Sequence, residues 1–120
     1  MKKPRAIQIK RVYEKPSPDD GQRFLVDRVW PRGIRKEALA DAEWLPEVAP
    51  STELRKWFAH DDARWTEFQT RYRSELKTNR AALAPLLAAS KKGSVTLLYS
   101  ARDTEKNQAV VLKEFLEKEK

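Results

Sequence analysis

The segment that most constrains the fold of this chain is residues 95–100, Val-Thr-Leu-Leu-Tyr-Ser. Apolar side chains fall on both faces of this extended segment, which is typical of a strand buried inside a parallel sheet. A loop over residues 101–106 follows, and residues 107–118 repeat apolar side chains at helical spacing. A strand, a short loop and a helix form a βα unit. We therefore expect an α/β fold with a small, mostly parallel sheet of about three or four strands and a C-terminal helix.

Two earlier segments supply further strands. Residues 6–12 alternate apolar and polar side chains with one slip, which predicts a first strand. The segment from Phe24 to Val29 has the apolar character of a strand covered on both faces, and Pro31 predicts that this strand ends near Trp30. The loop over residues 13–22 is short for a helical crossover. The residues alone leave open whether these two strands pair antiparallel or lie apart in the sheet.

A helical insert is predicted between the second and last strands. Its beginning, residues 37–48, is ambiguous: one helical turn is compatible with the sequence, and Trp44 and Leu45 are expected to be buried. Ser51 is a good N-cap for the first clear helix, because its hydroxyl can accept a hydrogen bond from a free backbone amide.

The strongest helical pattern covers residues 62–77. Aromatic and apolar side chains recur there at spacings of three and four, at Trp65, Phe68, Tyr72 and Leu76. This stripe favours core packing over a base-stacking surface, because the opposite helix face is polar and mixed in charge. Another helix is predicted around residues 82–92, with Pro85 in its first turn and Gly93 after its end.

Length and composition exclude several classes of protein. The 120 residues predict one α/β domain over residues 1–120. The sequence contains no cysteine, which excludes disulfides and thiolate nucleophiles. No apolar run reaches the roughly 20 residues that a membrane-spanning helix needs, and the basic start lacks an apolar signal core. We expect a cytoplasmic protein without a membrane partner.

The net charge of +7 is concentrated in the first third of the chain. Residues 1–36 carry 11 lysines and arginines against 4 acidic residues, whereas residues 37–120 carry 14 of each. This asymmetry favours an anionic partner, such as a phosphate, a nucleotide, a nucleic acid or an acidic protein surface. A basic face that only aids solubility is the alternative.

The candidate site lies where the strands end. In an open parallel sheet, ligands bind beyond the carboxyl ends of the strands, and the free amides of a following helix favour an anion there. Arginine guanidinium groups match phosphate or carboxylate oxygens in pairs. The candidate ligand-binding residues are Arg11, Tyr13, Asp27, Arg28, Trp30, Arg32, Tyr99, Arg102, Asp103, Thr104 and Asn107. In the alternative interpretation, Asp27 and Asp103 pair with these arginines and only close the end of the sheet.

Complete catalytic sets are not visible in the sequence. Ser100 has no histidine placed beside it by a motif, the single histidine His60 is more typical of a structural or exposed residue than of a metal ligand, and no glycine-rich phosphate loop is present. We predict neither a metal nor a cofactor. Asp27 or Asp103 as a general base and Tyr99 as a proton donor form one catalytic hypothesis, and whether the protein is an enzyme stays open.

Three segments of the sequence resemble the YeaO-like family, a branch of the proteins grouped as domain of unknown function 488. They are residues 20–33 (DGQRFLVDRVWPRG), residues 49–58 (APSTELRKWF) with His60-Asp61, and residues 96–104 (TLLYSARDT) with Asn107 and residues 109–112 (AVVL). The resemblance implies a small bacterial α/β protein with a mostly parallel sheet and no known reaction. The wider group has a cysteine and a Cys-His-Arg run where this chain has Tyr99 and Asn107-Gln108, and YeaO-like chains often have Asn-His at the latter place.

Three functions follow from these observations. The first is binding of a small anionic ligand, phosphate- or nucleotide-like, at the carboxyl ends of the strands. The second is a nucleic-acid-binding or transcription-regulator-type module that uses the basic N-terminal third and stacks a base on Trp30. The third is a protein-docking surface on the basic loop. The oligomeric state is left open.

Overall fold

A four-stranded parallel sheet forms the centre of the structure, a computed structural model that describes residues 6–119. Its strands are β1 (Ile7–Arg11), β2 (Gln22–Leu25), β3 (Ala42–Trp44) and β4 (Val95–Tyr99), in the spatial order β1-β4-β2-β3. β4 pairs with β1 and with β2, and all five of its residues are buried. The predicted α/β fold is confirmed. The open question about the first two strands is settled too, because β1 and β2 lie on either side of β4.

The second strand is shorter than predicted. Its pairing with β4 ends at Leu25, although the amide of Val26 still donates to the carbonyl of Leu98 at 3.0 Å. Val29 is therefore not part of a strand, and 55% of its surface is exposed. Where the chain leaves the sheet, the side chain of Asp27 bonds to Ser100 and Gln108, beyond the end of β4.

The third strand, β3, was not predicted. It forms the edge of the sheet, pairing with β2 only, and lies inside the segment expected to be a helical insert. Leu45 is buried as expected, but Trp44 is 40% exposed, which corrects the prediction. An edge strand lacks a neighbour on one side, and three residues carry too little pattern to be recognised.

Four α-helices and several 3₁₀ turns complete the described part of the chain, residues 6–119. The helices are α1 (Thr52–Phe58), α2 (Trp65–Thr78), α3 (Ala84–Lys92) and α4 (Gln108–Glu119). The predicted N-cap of α1 is confirmed, since the hydroxyl of Ser51 accepts from the amide of Leu54 at 3.1 Å. Pro85 lies in the first turn of α3, as predicted. Within residues 6–119, none of the helices is both long and apolar enough to cross a membrane.

The two faces of the sheet are covered differently. Phe24 and Leu97 belong to the main core with the helices, which also buries Tyr72 of the α2 stripe. The predicted core role of that stripe is confirmed. Leu25 and Leu98 point to the opposite face, where they form a smaller cluster. Trp30 and Ile34 pack on this smaller cluster, so a part of the basic loop takes the place of a helix layer.

At the amino end of the strands, a network of charged groups closes the sheet. Asp20 is 2% exposed and accepts from Lys10 at 2.7 Å, and its second oxygen lies 3.5 Å from Nε of Arg23. Arg23 is itself 3% exposed and binds Asp41. Burial raises the pKa of Asp20, but the hydrogen bonds from Lys10 and from the Ser17 amide outweigh it, so that this pKa is lowered. Charges of the basic first third are therefore used inside the fold.

Candidate functional site

A cleft of about 530 Å³ opens at the carboxyl ends of β2 and β4. It lies between the loop after β2, the helix α1 and the start of α4. Its lining is Asp27, Arg28, Val29, Trp30, Pro31, Arg32, Ala49, Pro50, Arg55, Lys56, Phe58, His60, Phe68, Ser100, Ala101, Asn107 and Gln108. The volume is in the range of pockets for small organic ligands, which is roughly 300–1,000 Å³. This is the edge of the sheet at which the sequence predicts a site.

Asp27 joins the three elements at the bottom of the cleft. One carboxylate oxygen, Oδ2, accepts from the amide of Ser100 at 3.1 Å and from its hydroxyl at 2.5 Å. The other oxygen, Oδ1, accepts from Nε2 of Gln108 at 2.6 Å. Burial raises the pKa of Asp27, although these hydrogen bonds oppose the shift. Asp27 is 8% exposed and, among residues 6–119, is the one carboxylate in the lining.

Arg28 points away from Asp27 and toward the start of α1. Its Nε donates to the carbonyl of Pro50 at 2.8 Å and its Nη2 to that of Ala49 at 3.1 Å. Both carbonyls belong to buried residues just before the helix. Arg28 therefore fixes where α1 begins, in addition to lining the cleft.

Two further contacts fix the orientation of α1. The amide and the hydroxyl of Ser51 donate to the two carboxylate oxygens of Glu75 on α2, at 2.8 and 2.6 Å. Phe58, at the other end of α1, stacks on Phe68 with ring centroids 4.3 Å apart. With α1 held at both ends, Arg55 and Lys56 lie along the cleft.

The loop after β2 is stiffened by its own indole groups. The indole N–H of Trp30 donates to the carbonyl of Ile34 at 2.7 Å, and that of Trp44 donates to the carbonyl of Asp27 at 2.7 Å. The two indole rings meet edge to face with centroids 5.5 Å apart. Gly33 has a φ of 80°, a conformation that favours glycine. Trp30 is therefore half-buried and hydrogen-bonded, whereas the sequence predicts an exposed ring on which a base can stack.

The cations of the cleft are mostly unmatched by acids. Arg32, Arg55 and Lys56 are exposed, and within residues 6–119 none of them has a carboxylate within 4 Å. Two of the hydrogen-bond donors of Arg28 are bound to carbonyl groups. Positive potential therefore accumulates at the rim of the cleft, while the carboxylate of Asp27 lies at its bottom.

Asn107 acts as the N-cap of α4. Its Oδ1 accepts from the amide of Val110 at 3.1 Å, and its Nδ2 donates to the carbonyl of Asp103 at 2.8 Å. Asn107 is 1% exposed, so these contacts hold it rigidly. The positive end of the α4 dipole is thereby placed beside the cleft, as the sequence predicts.

Five of the predicted site residues line the cleft, namely Asp27, Arg28, Trp30, Arg32 and Asn107. The remaining six do not line it: Arg11, Tyr13, Tyr99, Arg102, Asp103 and Thr104. Among residues 6–119, neither Asp27 nor Asp103 forms a hydrogen bond or a close ion pair with an arginine, although the charge of Arg55 acts on Asp27 and opposes the rise of its pKa.

The residues outside the cleft are occupied by local contacts. Arg11 donates to the carbonyls of Ala101 and Ser100 at 2.9 and 3.3 Å, and its guanidinium group lies 4.8 Å from the ring centroid of Tyr13. Tyr99 is 2% exposed, and burial raises its pKa. Arg11 therefore holds the end of β4 instead of facing the cleft.

The loop after β4 folds back on itself. Asp103 accepts from the amides of Glu105 and Lys106 at 2.9 and 3.0 Å, and these bonds lower its pKa. Arg102 and Thr104 are exposed on the same loop. The polar residues of this loop thus form a turn that leads to Asn107.

The sequence did not single out Arg55, Lys56 or Gln108. Arg55 and Lys56 lie on the polar side of α1, and only the packing of α1 decides which polar residues face the cleft. Gln108 carried one signal, since the resemblance to YeaO-like chains implies a histidine at this position. His60 lines the cleft with an exposed ring and a φ of 56°. Within residues 6–119, no cluster of three or more His, Cys, Asp or Glu side chains is arranged to hold a metal ion.

Comparison with known proteins places the chain in a family. Residues 6–120 match the family described as the inactive DUF488-N3 subclade. The uncharacterised protein YeaO of Escherichia coli (strain K12) is 46% identical over 110 residues, which cover 92% of this chain and 96% of YeaO. Uncharacterised proteins of Mycobacterium tuberculosis and Mycobacterium bovis are 44% identical, covering 92% of both chains. No solved structure matches. The chain therefore belongs to the YeaO-like proteins of the inactive DUF488-N3 subclade.

Proposed function

We propose that the cleft binds a small anionic ligand of the phosphate type. The observation that carries this proposal is the convergence of Arg32, Arg55 and Lys56 on one ligand-sized cleft, where among residues 6–119 no carboxylate lies within 4 Å of them and only Asp27 is acted on by the charge of Arg55. Cations that only support a fold are usually matched by acids or carbonyls, as Arg23 is by Asp41. Unmatched cations around a concavity favour an anion from solution.

The surrounding elements support the same ligand. The N-terminus of α4 adjoins the cleft through Asn107 and Gln108, and helix N-termini favour negative charge. The cleft also lies at the carboxyl edge of a parallel sheet, where open α/β folds bind their ligands. Two sources of positive potential, the cations of the lining and the N-terminus of α4, therefore act on a place where such folds bind ligands.

We infer binding without turnover. The description of the subclade as inactive agrees with this inference. The general base and the proton donor of the catalytic hypothesis also do not meet in the cleft. Asp27 lines the cleft, but Tyr99 and Asp103 do not. What remains in the cleft is a carboxylate engaged by three hydrogen bonds and a group of cations.

Isothermal titration of the purified chain with inorganic phosphate, mononucleotides and short oligonucleotides tests the proposal. We expect a phosphate-bearing small molecule to bind, and Lys56→Ala to weaken its binding about tenfold, as expected for the loss of one charged contact. Lys91→Ala is the matched control, since Lys91 is an exposed helical lysine near the amino end of β4. Equal effects of the two variants, or no binding of any small anion, would contradict the proposal.

The same titrations separate the nucleic-acid alternative, which stays a prediction. If oligonucleotides bind and small anions do not, and if binding falls steeply with salt, the basic first third is an electrostatic surface instead. Several cations of that third already have partners inside the fold, as Lys10, Arg11, Arg23 and Arg28 show. Fewer of them are therefore free to contact a nucleic acid than the net charge indicates.

A further inference from the structure

The charges of the cleft are separated by depth. Asp27 is 8% exposed at the bottom, whereas Arg32, Arg55 and Lys56 are exposed at the rim. An anionic group is repelled by the carboxylate below and attracted by the cations above. A ligand with one charged end therefore enters with its neutral end first.

Apolar side chains also line the cleft. They include Pro31, Pro50, Phe58 and Phe68. A volume of about 530 Å³ is far larger than a phosphate ion needs. The ligand is therefore expected to be larger than phosphate, with an apolar or aromatic body against these side chains and a length that reaches from the rim to Asp27.

The bottom of the cleft presents hydrogen-bond acceptors. Nε2 of Gln108 donates to Oδ1 of Asp27, and among residues 6–119 no hydrogen-bond donor contacts Oε1 of the same side chain. Oδ1 of Asp27 accepts one bond from Gln108 and keeps a second lone pair, while Oδ2 already accepts two bonds from Ser100. Two adjacent acceptors, Oδ1 and Oε1, therefore call for two adjacent donors on the ligand.

We propose that the ligand is a purine nucleoside monophosphate of the guanine type, held base-inward. This proposal rests on the proposed function and names its ligand class. Guanine carries a ring N–H beside an exocyclic amino group, which supplies two neighbouring donors. Adenine and cytosine present a donor beside an acceptor at the equivalent edge. The phosphate then reaches Arg32, Arg55 and Lys56 at the rim.

Titration of the whole chain with a graded set of ligands tests this assignment. The probes are guanosine monophosphate, inosine monophosphate, adenosine monophosphate, ribose 5-phosphate and inorganic phosphate. Guanosine and inosine monophosphate differ by the 2-amino group alone. We expect guanosine monophosphate to bind roughly 10- to 100-fold more tightly than inosine monophosphate, because a hydrogen bond to a charged acceptor is lost with the amino group.

Two variants locate the contact. Asp27→Asn replaces one acceptor by a donor and is expected to abolish the preference for guanosine over inosine monophosphate. Lys56→Ala is expected to weaken both nucleotides by the same factor and to leave their ratio unchanged. The ratio measured on the unmodified chain tests the assignment even where Asp27→Asn does not fold.

The outcomes separate the two proposals. Equal affinity for guanosine monophosphate, inosine monophosphate and ribose 5-phosphate would overturn the guanine assignment and leave phosphate binding intact. If Asp27→Asn still prefers guanosine monophosphate over inosine monophosphate, the base-inward orientation is overturned. If none of the phosphate compounds binds, both proposals fail.

Discussion

Truncation of Arg28 separates a structural from a ligand-binding role for the loop after β2. In the folded chain its guanidinium group donates to the carbonyls of Pro50 and Ala49, at 2.8 and 3.1 Å. Both acceptors belong to buried residues at the start of α1. In Arg28→Ala these carbonyls lose their donors, and α1 loses one of its anchors.

The magnitude follows from the two bonds. A hydrogen bond from a charged donor contributes about 1.5–3 kcal/mol, and an orphaned buried carbonyl costs a similar amount. Arg28 is half-buried beside an open cleft, so water restores part of the loss. We expect the free energy of unfolding to fall by about 3 kcal/mol, and Tm to fall by roughly 10 °C for a chain of this size.

The assay is urea denaturation followed by tryptophan fluorescence and circular dichroism. Arg32→Ala is the matched control, because Arg32 lies in the same loop with an exposed side chain, and we expect a change within about 0.5 kcal/mol there. Arg28→Lys can reach one carbonyl at most, and an intermediate loss is expected. If Arg28→Ala and Arg32→Ala differ by less than about 0.5 kcal/mol, the anchoring role of Arg28 is refuted.

Three further changes test other parts of the structure. Burial raises the pKa of Asp27 above 3.8, so the stability that comes from its protonated form is lost as the pH rises. In urea titrations at several pH values, the free energy of unfolding of Asp27→Asn should therefore increase relative to that of the wild type above pH 3.8. A difference between the two chains that does not change with pH would contradict this. Tyr72→Phe removes the hydroxyl that donates to the Val48 carbonyl at 2.5 Å, and we expect a loss of about 1–3 kcal/mol in thermal unfolding; no measurable change would show that the bond contributes nothing. Gly21 has a φ of 64°, and an added Cβ would lie 2.1 Å from the carbonyl oxygen of Ser94, so Gly21→Ala should lower the yield of folded protein on expression and cost more than about 2 kcal/mol. A Gly21→Ala chain with an unchanged Tm would refute that close approach.

The fold was largely predictable because its signals are local. A run such as Val95–Tyr99, apolar on both faces, requires cover on both sides, and that requirement alone implies a central strand. The stripe of α2 and the cap at Ser51 are equally local. Two features were not predicted. The strand β3 was missed because three residues at a sheet edge show no periodicity. The early end of β2 was missed because Val29 is an apolar residue that is nevertheless exposed.

The position of the cleft was predictable, but only part of its lining was. The sequence determined that polar and basic residues follow β2 and β4, and parallel pairing brings those strand ends to one edge. It also placed Asp27, Arg28 and Asn107 there. The sequence does not distinguish polar residues that face solvent from polar residues that form hydrogen bonds inside the fold.

Only the tertiary structure decided between those roles. Arg11 ends β1 and Arg28 follows β2, yet Arg11 binds carbonyls away from the cleft and Arg28 binds carbonyls along its wall. Arg55 and Lys56 enter the site because the Ser51–Glu75 contact and the stacking of Phe58 fix the rotation of α1. A helix with polar residues on most of its surface does not specify which of them meet another element. That choice depends on the packing of its few apolar side chains against the rest of the chain.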